Sequence, residues 1–260
     1  MLSALAGPSL ANDDLATAAQ NPVADMVSLP FQNNTYFGVG PDEDTANVLS
    51  IQPVMPFALG DWNLITRTIV PIVYLPSVAD SLPNSTDDID RGDKFGLGDI
   101  NLTAFLSPAD SGSLTWDVGP SLTAASATSD RLGSEKWSAG PSAVALSIDP
   151  PWVYGALVRQ LWSFTGSDDR NSVNQFLAQP FVNYNLPEGW YLVGSPIITA
   201  NWDADSSERW TVPVGGGAGR VFKIGEQAVN LQAQSFYNVE SPENGADWSL
   251  RLQFTFLFPR

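Results

Sequence analysis

Hydrophobic and polar residues alternate with a period of two through most of the chain after about residue 33. Successive side chains of a β-strand point to opposite faces, so this alternation predicts strands with one apolar and one polar face. In the last run, Trp248, Leu250, Leu252, Phe254, Phe256 and Phe258 share one face, and Ser249, Arg251, Gln253 and Thr255 share the other. The pattern therefore predicts an all-β fold.

The alternating runs predict about twelve strands. They cover residues 33–40, 45–57, 62–74, 95–106, 113–124, 137–147, 152–164, 173–184, 190–202, 208–222, 227–238 and 247–258. Nearly all of these runs are longer than the five or six residues that are typical of strands in soluble sheets. Their length matches what a tilted strand needs to cross a bilayer.

The connections between these strands fall into two classes that alternate along the chain. One class is short and covers residues 58–61, 107–112, 148–151, 185–189 and 223–226. The other is mostly longer and acidic, and it covers residues 41–44, 75–94, 125–136, 165–172, 203–207 and 239–246. Outer-membrane barrels have short periplasmic turns and longer outer loops. We therefore predict a transmembrane antiparallel up-and-down β-barrel over residues 31–260, with both termini on the periplasmic side.

Composition narrows the class of protein further. Charged residues make up 15% of the chain, below the roughly 25% of a soluble domain, and no apolar run is long enough for a transmembrane helix. The net charge of −16 leaves no basic face for nucleic acid. The sequence has neither histidine nor cysteine, so catalytic sites that need these residues and histidine-ligated metal sites are excluded. No cofactor is expected.

Large aromatic residues mark the two ends of the apolar strand faces. The residues in question are Trp62, Tyr74, Trp152, Trp162, Trp190, Trp202, Trp248 and Phe258. Membrane barrels carry aromatic girdles at the two headgroup levels, where a ring with a polar tip contacts both lipid and water. The sequence predicts such a membrane-interface girdle.

Charged and amide side chains in mid-strand mark the polar face. An arginine turned toward lipid at the bilayer midplane costs roughly 2–4 kcal/mol, so Arg67, Arg159 and Arg251 are expected to face the lumen. Asp99 and Asp117 are their candidate partners. The predicted lumen-lining residues are Arg67, Asp99, Asp117, Arg159, Gln175, Gln179, Asn230, Gln232, Gln234, Arg251 and Gln253. Two interpretations stay open: a charged constriction that screens solutes, or paired side chains that fill a narrow barrel.

The chain before the barrel divides into two segments. Residues 1–11 are small and apolar and end in Ser9-Leu10-Ala11, which predicts the remnant of a signal peptide; a disordered N-terminus is the alternative. In residues 12–30, the acidic pair before Leu15 can start a short helix. This segment is interpreted either as a flexible leader, which is favoured, or as a small periplasmic plug.

Prolines and acidic residues add two further expectations. Seven prolines fall inside predicted strands, where they cannot donate to the ladder, so local bulges are predicted. They are Pro53, Pro71, Pro120, Pro141, Pro180, Pro196 and Pro213. Asp87, Asp88 and Asp90 in the loop of residues 75–94 form a weak candidate for a divalent-metal site. A solvated acidic surface, bridged loosely by divalent ions to lipopolysaccharide, is favoured over it.

Several stretches resemble a known outer-membrane family. They are residues 21–34, 37–41, 49–56 and 62–76, which include Asn21-Pro-Val-Ala-Asp-Met-Val-Ser-Leu-Pro-Phe-Gln-Asn-Asn34 and Leu49-Ser-Ile-Gln-Pro-Val-Met-Pro56. They are similar to the family named for the MetA pathway of phenol degradation, whose members are often labelled as transporters. The resemblance implies an outer-membrane channel, with uptake of aromatic or other small hydrophobic compounds associated with some members.

Three functional classes remain in view at this point. The favoured one is a channel of the bacterial outer membrane for the passive passage of small solutes, in contact with membrane lipid and lipopolysaccharide. A soluble extracellular β-sandwich that binds carbohydrate through exposed tryptophans is the alternative. A barrel enzyme such as a lipase would need a carboxylate or lysine as its general base. The sequence makes no prediction of oligomeric state.

Overall fold

The computed structural model describes residues 12–21, 26–77, 92–110 and 114–259. A helix α1 (Asn12–Ala19) precedes fifteen strand segments. These are β1 (Val27–Val39), β2 (Asp44–Ile51), β3 (Val54–Leu59), β4 (Trp62–Leu75), β5 (Lys94–Leu97), β6 (Asn101–Pro108), β7 (Leu114–Thr123), β8 (Lys136–Asp149), β9 (Trp152–Gly166), β10 (Asn174–Asn185), β11 (Trp190–Gly194), β12 (Ile198–Asn201), β13 (Trp210–Ile224), β14 (Gln227–Glu240) and β15 (Trp248–Phe258). Two single 3-10 turns, Asp130–Leu132 and Pro187–Gly189, lie in connections.

The fifteen segments form a single closed antiparallel sheet. Three pairs of segments, β2 with β3, β5 with β6 and β11 with β12, are the halves of interrupted spans, so the barrel has twelve spans. The first strand closes the barrel by pairing with the last, with Asn34 opposite Arg251 and Val27 opposite Phe258. The predicted twelve-stranded up-and-down barrel is therefore confirmed.

The first strand is the element whose predicted start differs most from the observed one. It begins at Val27 instead of residue 33, and Ser28, Pro30 and Gln32 alternate with Val27 and Leu29 along it. The whole stretch pairs with β15 without a register shift. Pro30 interrupts the sequence signal, but its missing N–H does not prevent pairing through its carbonyl. Residues 27–30 thus belong to the barrel wall.

The mid-strand prolines coincide with local defects in the wall. Pro53 and Pro196 lie in the interruptions of their spans, and the register of β13 with β14 shifts between Val212 and Pro213. Pro120 and Pro141 stay within strands and lie opposite each other across β7 and β8. Beside them the ladders β6–β7 and β8–β9 each skip two positions. Missing N–H donors explain these gaps.

The outer face of the barrel is apolar and exposed, and most inward-facing side chains are enclosed. On β6, for example, Leu102 and Leu106 point outward and are each 43% exposed, whereas Thr103 and Phe105 point inward and are buried. Large exposed apolar side chains recur on the outer face of nearly every strand. This distribution is the one that a lipid-solvated barrel requires. None of the helices in the described parts of the chain is long and apolar enough to cross a membrane.

Helix α1 lies against the inside of the barrel at the short-turn end. Leu15 and Ala16 are almost fully buried in a cluster that includes Tyr191, Val193 and Val221. Just after the helix, Gln20 Nε2 donates to Asn185 Oδ1 at 2.7 Å. Burial of this apolar helix face is more favourable than its exposure to water. Whether the segment acts as a leader or as a plug stays a prediction.

Candidate functional site in the barrel lumen

The structure places most of the predicted lumen-lining residues on the inner face. Those that point inward are Arg67, Asp117, Arg159, Gln175, Gln179, Asn230, Gln232, Gln234, Arg251 and Gln253. Gln175 stays exposed, at the long-loop end of β10, whereas Asp117, Asn230, Gln234 and Arg251 are buried. Their common position follows from the period-two alternation of each strand. The effect of these side chains on solutes stays a prediction.

Arg251 is held by a network that crosses several strands. Its Nε donates to Asn34 Oδ1 at 2.9 Å, and its Nη1 donates to the carbonyl of Ser195 at 2.8 Å. Gln234 accepts from the Ser195 N–H at 3.0 Å, and the guanidinium lies over the ring of Phe236. Gly217, opposite Gln234 on β13, has no side chain to block this reach. The interruption after Gly194 thus directs Ser195 into the lumen.

Arg67 and Arg159 complete a set of three lumenal arginines. Arg67 Nη2 donates to Gln52 Oε1 at 2.6 Å, and Gln52 is buried in the interruption beside Pro53. Arg159 faces the lumen opposite Leu177, and its Nε atom is buried without an acceptor among the described residues. Arg67, Arg159 and Arg251 all point into the same lumen. The three side chains therefore form one cationic region.

The two predicted acidic partners do not pair with these arginines. Asp99 instead accepts hydrogen bonds from the backbone N–H groups of Ser126, Ala127 and Ser134, and from the Ser134 hydroxyl at 2.8 Å. Asp117 is completely buried opposite Val144 and forms no ion pair with a described arginine. The pairing prediction is wrong because sequence alone does not give heights and angles around the barrel.

Asp99 fixes the loop of residues 124–135 across the long-loop mouth. The loop packs Thr128 against Gly96 and Leu132 against Gly98, two glycines on the inner face of one span. A side chain at either glycine would collide with the loop or crowd it. Arg131 donates to the carbonyls of Gly92 and Pro76, which anchors the loop further. The loop is thereby held against this span by several contacts.

Two more contacts stabilise that loop at its tip. Arg170 Nη2, from the next outer loop, donates to the carbonyls of Asp130 and Gly133 at 2.9 and 2.8 Å. Hydrogen bonds from the Ser129 hydroxyl and then the Arg131 N–H hold the pKa of the Asp130 carboxyl below its usual value. The carboxylate form is therefore favoured at the surface of the mouth.

The inner face at the short-turn end is apolar, a feature that the sequence analysis missed. Buried side chains from six strand segments form one cluster there: Val54, Ile65, Phe105, Val144, Leu146, Val153, Leu157 and Phe181. Both faces of β9 carry apolar residues, for example Leu157 inside and Val158 outside. Apolar residues on both faces of one strand were the only sequence signal for this apolar inner face. The same pattern also fits a strand whose register is irregular, so it does not identify a filled lumen.

A cavity of about 150 Å³ lies in the lumen beside Arg67 and the end of the helix α1 segment. Arg67 and Gln52 contribute to one part of its wall, and Leu157 and Phe181 to another. Ala19 and Gln20, at the end of the helix segment, line it on the side of the short-turn end. The cavity therefore combines cationic, amide and apolar surfaces within the barrel.

The eight predicted girdle residues lie on the outer face near strand ends, and all are at least one third exposed. Trp62, Trp152, Trp190 and Phe258 lie at the short-turn end, and Tyr74, Trp162, Trp202 and Trp248 lie at the long-loop end. Trp116, which the sequence analysis left out, meets Trp62 with ring centroids 6.2 Å apart. Phe37 stacks on Trp248 at 4.0 Å. Their contact with headgroups remains a prediction.

The weak metal-site candidate, Asp87, Asp88 and Asp90, lies outside the described residues. Within residues 12–21, 26–77, 92–110 and 114–259, no group of three acidic side chains is arranged to hold a metal ion.

A closed barrel of twelve spans with an apolar outer face and charged groups enclosed within it is an outer-membrane β-barrel. The family model described as "Putative MetA-pathway of phenol degradation" matches residues 43–254. The chain belongs to this family, as the resemblance in the sequence analysis implied. No curated protein sequence matches it.

Solved structures are similar to this chain at low sequence identity. The crystal structure of the COG4313 outer membrane channel from Pseudomonas putida F1 is 19% identical, with a TM-score of 0.69 over 91% of this chain and 96% of that chain. The CymD monoaromatic hydrocarbon channel is 9% identical, with a TM-score of 0.48 over 96% of this chain and 92% of that chain. The Salmonella typhi outer membrane phospholipase dimer with bound calcium is 12% identical, with a TM-score of 0.46 over 96% and 99%.

Proposed function

We propose that this protein is a passive channel of the bacterial outer membrane that admits small solutes with an apolar part, aromatic compounds among them, and that it is not an enzyme. The observation that carries the proposal is the lumenal cavity, in which Leu157 and Phe181 provide apolar surface beside polar groups. Apolar surface in the wall favours solutes with an apolar part over ions and sugars. Fold alone does not fix function, so the site carries the argument.

The absence of histidine from the sequence supports a non-catalytic role, because hydrolases of the common serine and cysteine types need a histidine base. Family membership supports transport of aromatic compounds, since the family is named for a pathway of phenol degradation. The CymD structure is described as a monoaromatic hydrocarbon channel. Contact with lipopolysaccharide is proposed for the acidic outer loops.

Filling the cavity should abolish uptake if solutes pass through it. Val54 is buried in the wall of the cavity, so Val54→Trp is expected to occupy its space. We expect the initial uptake rate of a labelled one-ring compound, in Gram-negative cells that produce the protein, to fall to the rate of cells without it. Val118→Trp makes the same change on the outer face, where Val118 is 47% exposed, and should leave uptake unchanged.

The test requires that both variants reach the membrane in equal, folded amounts, which heat-modifiable gel mobility reports. Uptake by Val54→Trp at the unmodified rate would exclude this cavity from the solute path. Equal loss in both variants would show that the bulky ring acts on the wall and not on a passage.

A further inference from the structure

The lumenal cationic region has no neutralising group among the described residues. Arg67 is bonded to an amide, Arg251 to an amide and a backbone carbonyl, and Arg159 Nε to no described acceptor. An ion pair within the described residues, Arg220 with Glu188 at 3.8 Å, lies at the short-turn end of the barrel, away from these arginines. Enclosed charges are normally paired because their desolvation is costly. The region therefore favours an anion supplied from solution.

The cavity beside Arg67 has the size of a single aromatic ring. Its volume is about 150 Å³, and a protein cavity of roughly that volume lined by apolar residues is large enough to bind benzene. Phe181 and Leu157 offer apolar surface to the ring. A guanidinium matches the planar carboxylate group and can bind both of its oxygens. Arg67 and the ring-sized space thus fit the two ends of one molecule.

Amide side chains in the same wall suit the remaining lone pairs of a carboxylate. Gln179, Gln232 and Gln253 line the cavity together with Gln52. Each amide carries two N–H donors and no charge, so these groups can donate hydrogen bonds to the same anion that the arginine binds. No aspartate or glutamate contributes to the cavity wall in the described parts of the chain. The polar part of the wall therefore carries a positive charge and, among the described residues, no negative charge.

We propose that this cavity is a binding site for small organic anions that join one carboxylate to one apolar ring, the chemical class of benzoate. Arg67 binds the carboxylate, the glutamine side chains assist it, and Leu157 and Phe181 contact the ring. The inference deepens the proposed channel function by naming the solute class. Binding itself does not depend on passage through the barrel.

Calorimetric titration of the folded full-length protein in detergent micelles tests the site without requiring transport. Sodium benzoate is expected to bind, benzamide (the same ring without charge) at least about tenfold more weakly, and acetate (the same charge without the ring) also more weakly. Arg67→Gln should weaken benzoate binding at least about tenfold, as expected for the loss of a charge-assisted pair. Arg67→Lys keeps the charge but loses the planar guanidinium that can bind both carboxylate oxygens, so its benzoate affinity should lie between those of the unmodified protein and Arg67→Gln.

Arg220→Gln is the matched control, because Arg220 lies outside the lumen beside Trp190 and its loss should not change benzoate affinity. Equal binding of benzoate and benzamide, or unchanged benzoate affinity in both Arg67 variants, would overturn the proposal. Acetate binding as tight as benzoate binding would show that the ring does not contribute to affinity. Benzoate binding by the unmodified protein, together with no uptake above the rate of cells that lack it, would contradict the channel function and leave this site in place.

Discussion

Replacing Leu252 with arginine is expected to destabilise the folded barrel by about 2–4 kcal/mol when the protein is refolded in phospholipid vesicles. Leu252 lies in the middle of β15, points outward and is 47% exposed. In hydrocarbon, a guanidinium there has no water or counter-charge. If this side chain faced water, the same substitution would change stability by no more than about 0.5 kcal/mol, as is usual for exposed positions.

The same substitution at a position near the membrane surface provides the matched control. Ile224 ends β13 at the short-turn end, points outward and is 59% exposed, so Ile224→Arg should cost only about 0–1 kcal/mol near the headgroups. Urea unfolding, followed by tryptophan fluorescence, measures the free energy of unfolding of both variants. Equal, small losses in the two variants would show that the face is not solvated by lipid.

Replacing Leu15 with glutamate is expected to release helix α1 from the barrel and to increase the single-channel conductance. Leu15 is 1% exposed within an apolar cluster, and burying such a side chain contributes about 1.5–3 kcal/mol. Losing that contribution lowers the ratio of docked to undocked helix at least about tenfold, before the cost of burying a carboxylate is added. Conductance of the variant in planar bilayers reports the change.

Leu15→Met is the control for this experiment, since methionine keeps the volume and apolar character of the side chain. Its conductance should equal that of the unmodified protein. A Leu15→Glu protein with the same conductance would mean that the helix, although it packs on the inner wall, does not limit passage.

The strands were predictable because the bilayer imposes a simple rule on each of them. Outward residues such as Leu102 and Leu106 must be apolar over the whole span, so the alternation is visible in the sequence without knowledge of neighbours. The inner face obeys no such rule. Phe105 and Thr103 share it on one strand, because its composition depends on what fills the lumen at that height.

The inward direction of the arginines was also predictable, because the cost of facing lipid depends on one residue at a time. The hydrogen-bond partners of these arginines were not predictable from the sequence. Arg251 binds Asn34 and Ser195, which are distant in sequence and are brought together by barrel closure and by the interruption after Gly194. Asp99, predicted as a partner, holds an outer loop instead. Such contacts require the register of all intervening strands.

The packing of helix α1 on the inner wall shows what sequence alone does not predict for a short element. Its eight residues are too few to be stable as a helix in isolation. Leu15 and Ala16 form it on the wall provided by β11 and β13, where Tyr191 and Val221 are already in place. The sequence shows the acidic start of the helix, but the surface that stabilises it exists only in the closed barrel.

Single-channel recording of the purified, refolded protein in planar lipid bilayers tests the central claim most directly, namely that the polar side of the sheet encloses a passage through the membrane. The account predicts discrete current steps of small, uniform size, which are absent when protein unfolded by heat is added. Folded protein that inserts into the bilayer without producing current steps would contradict it.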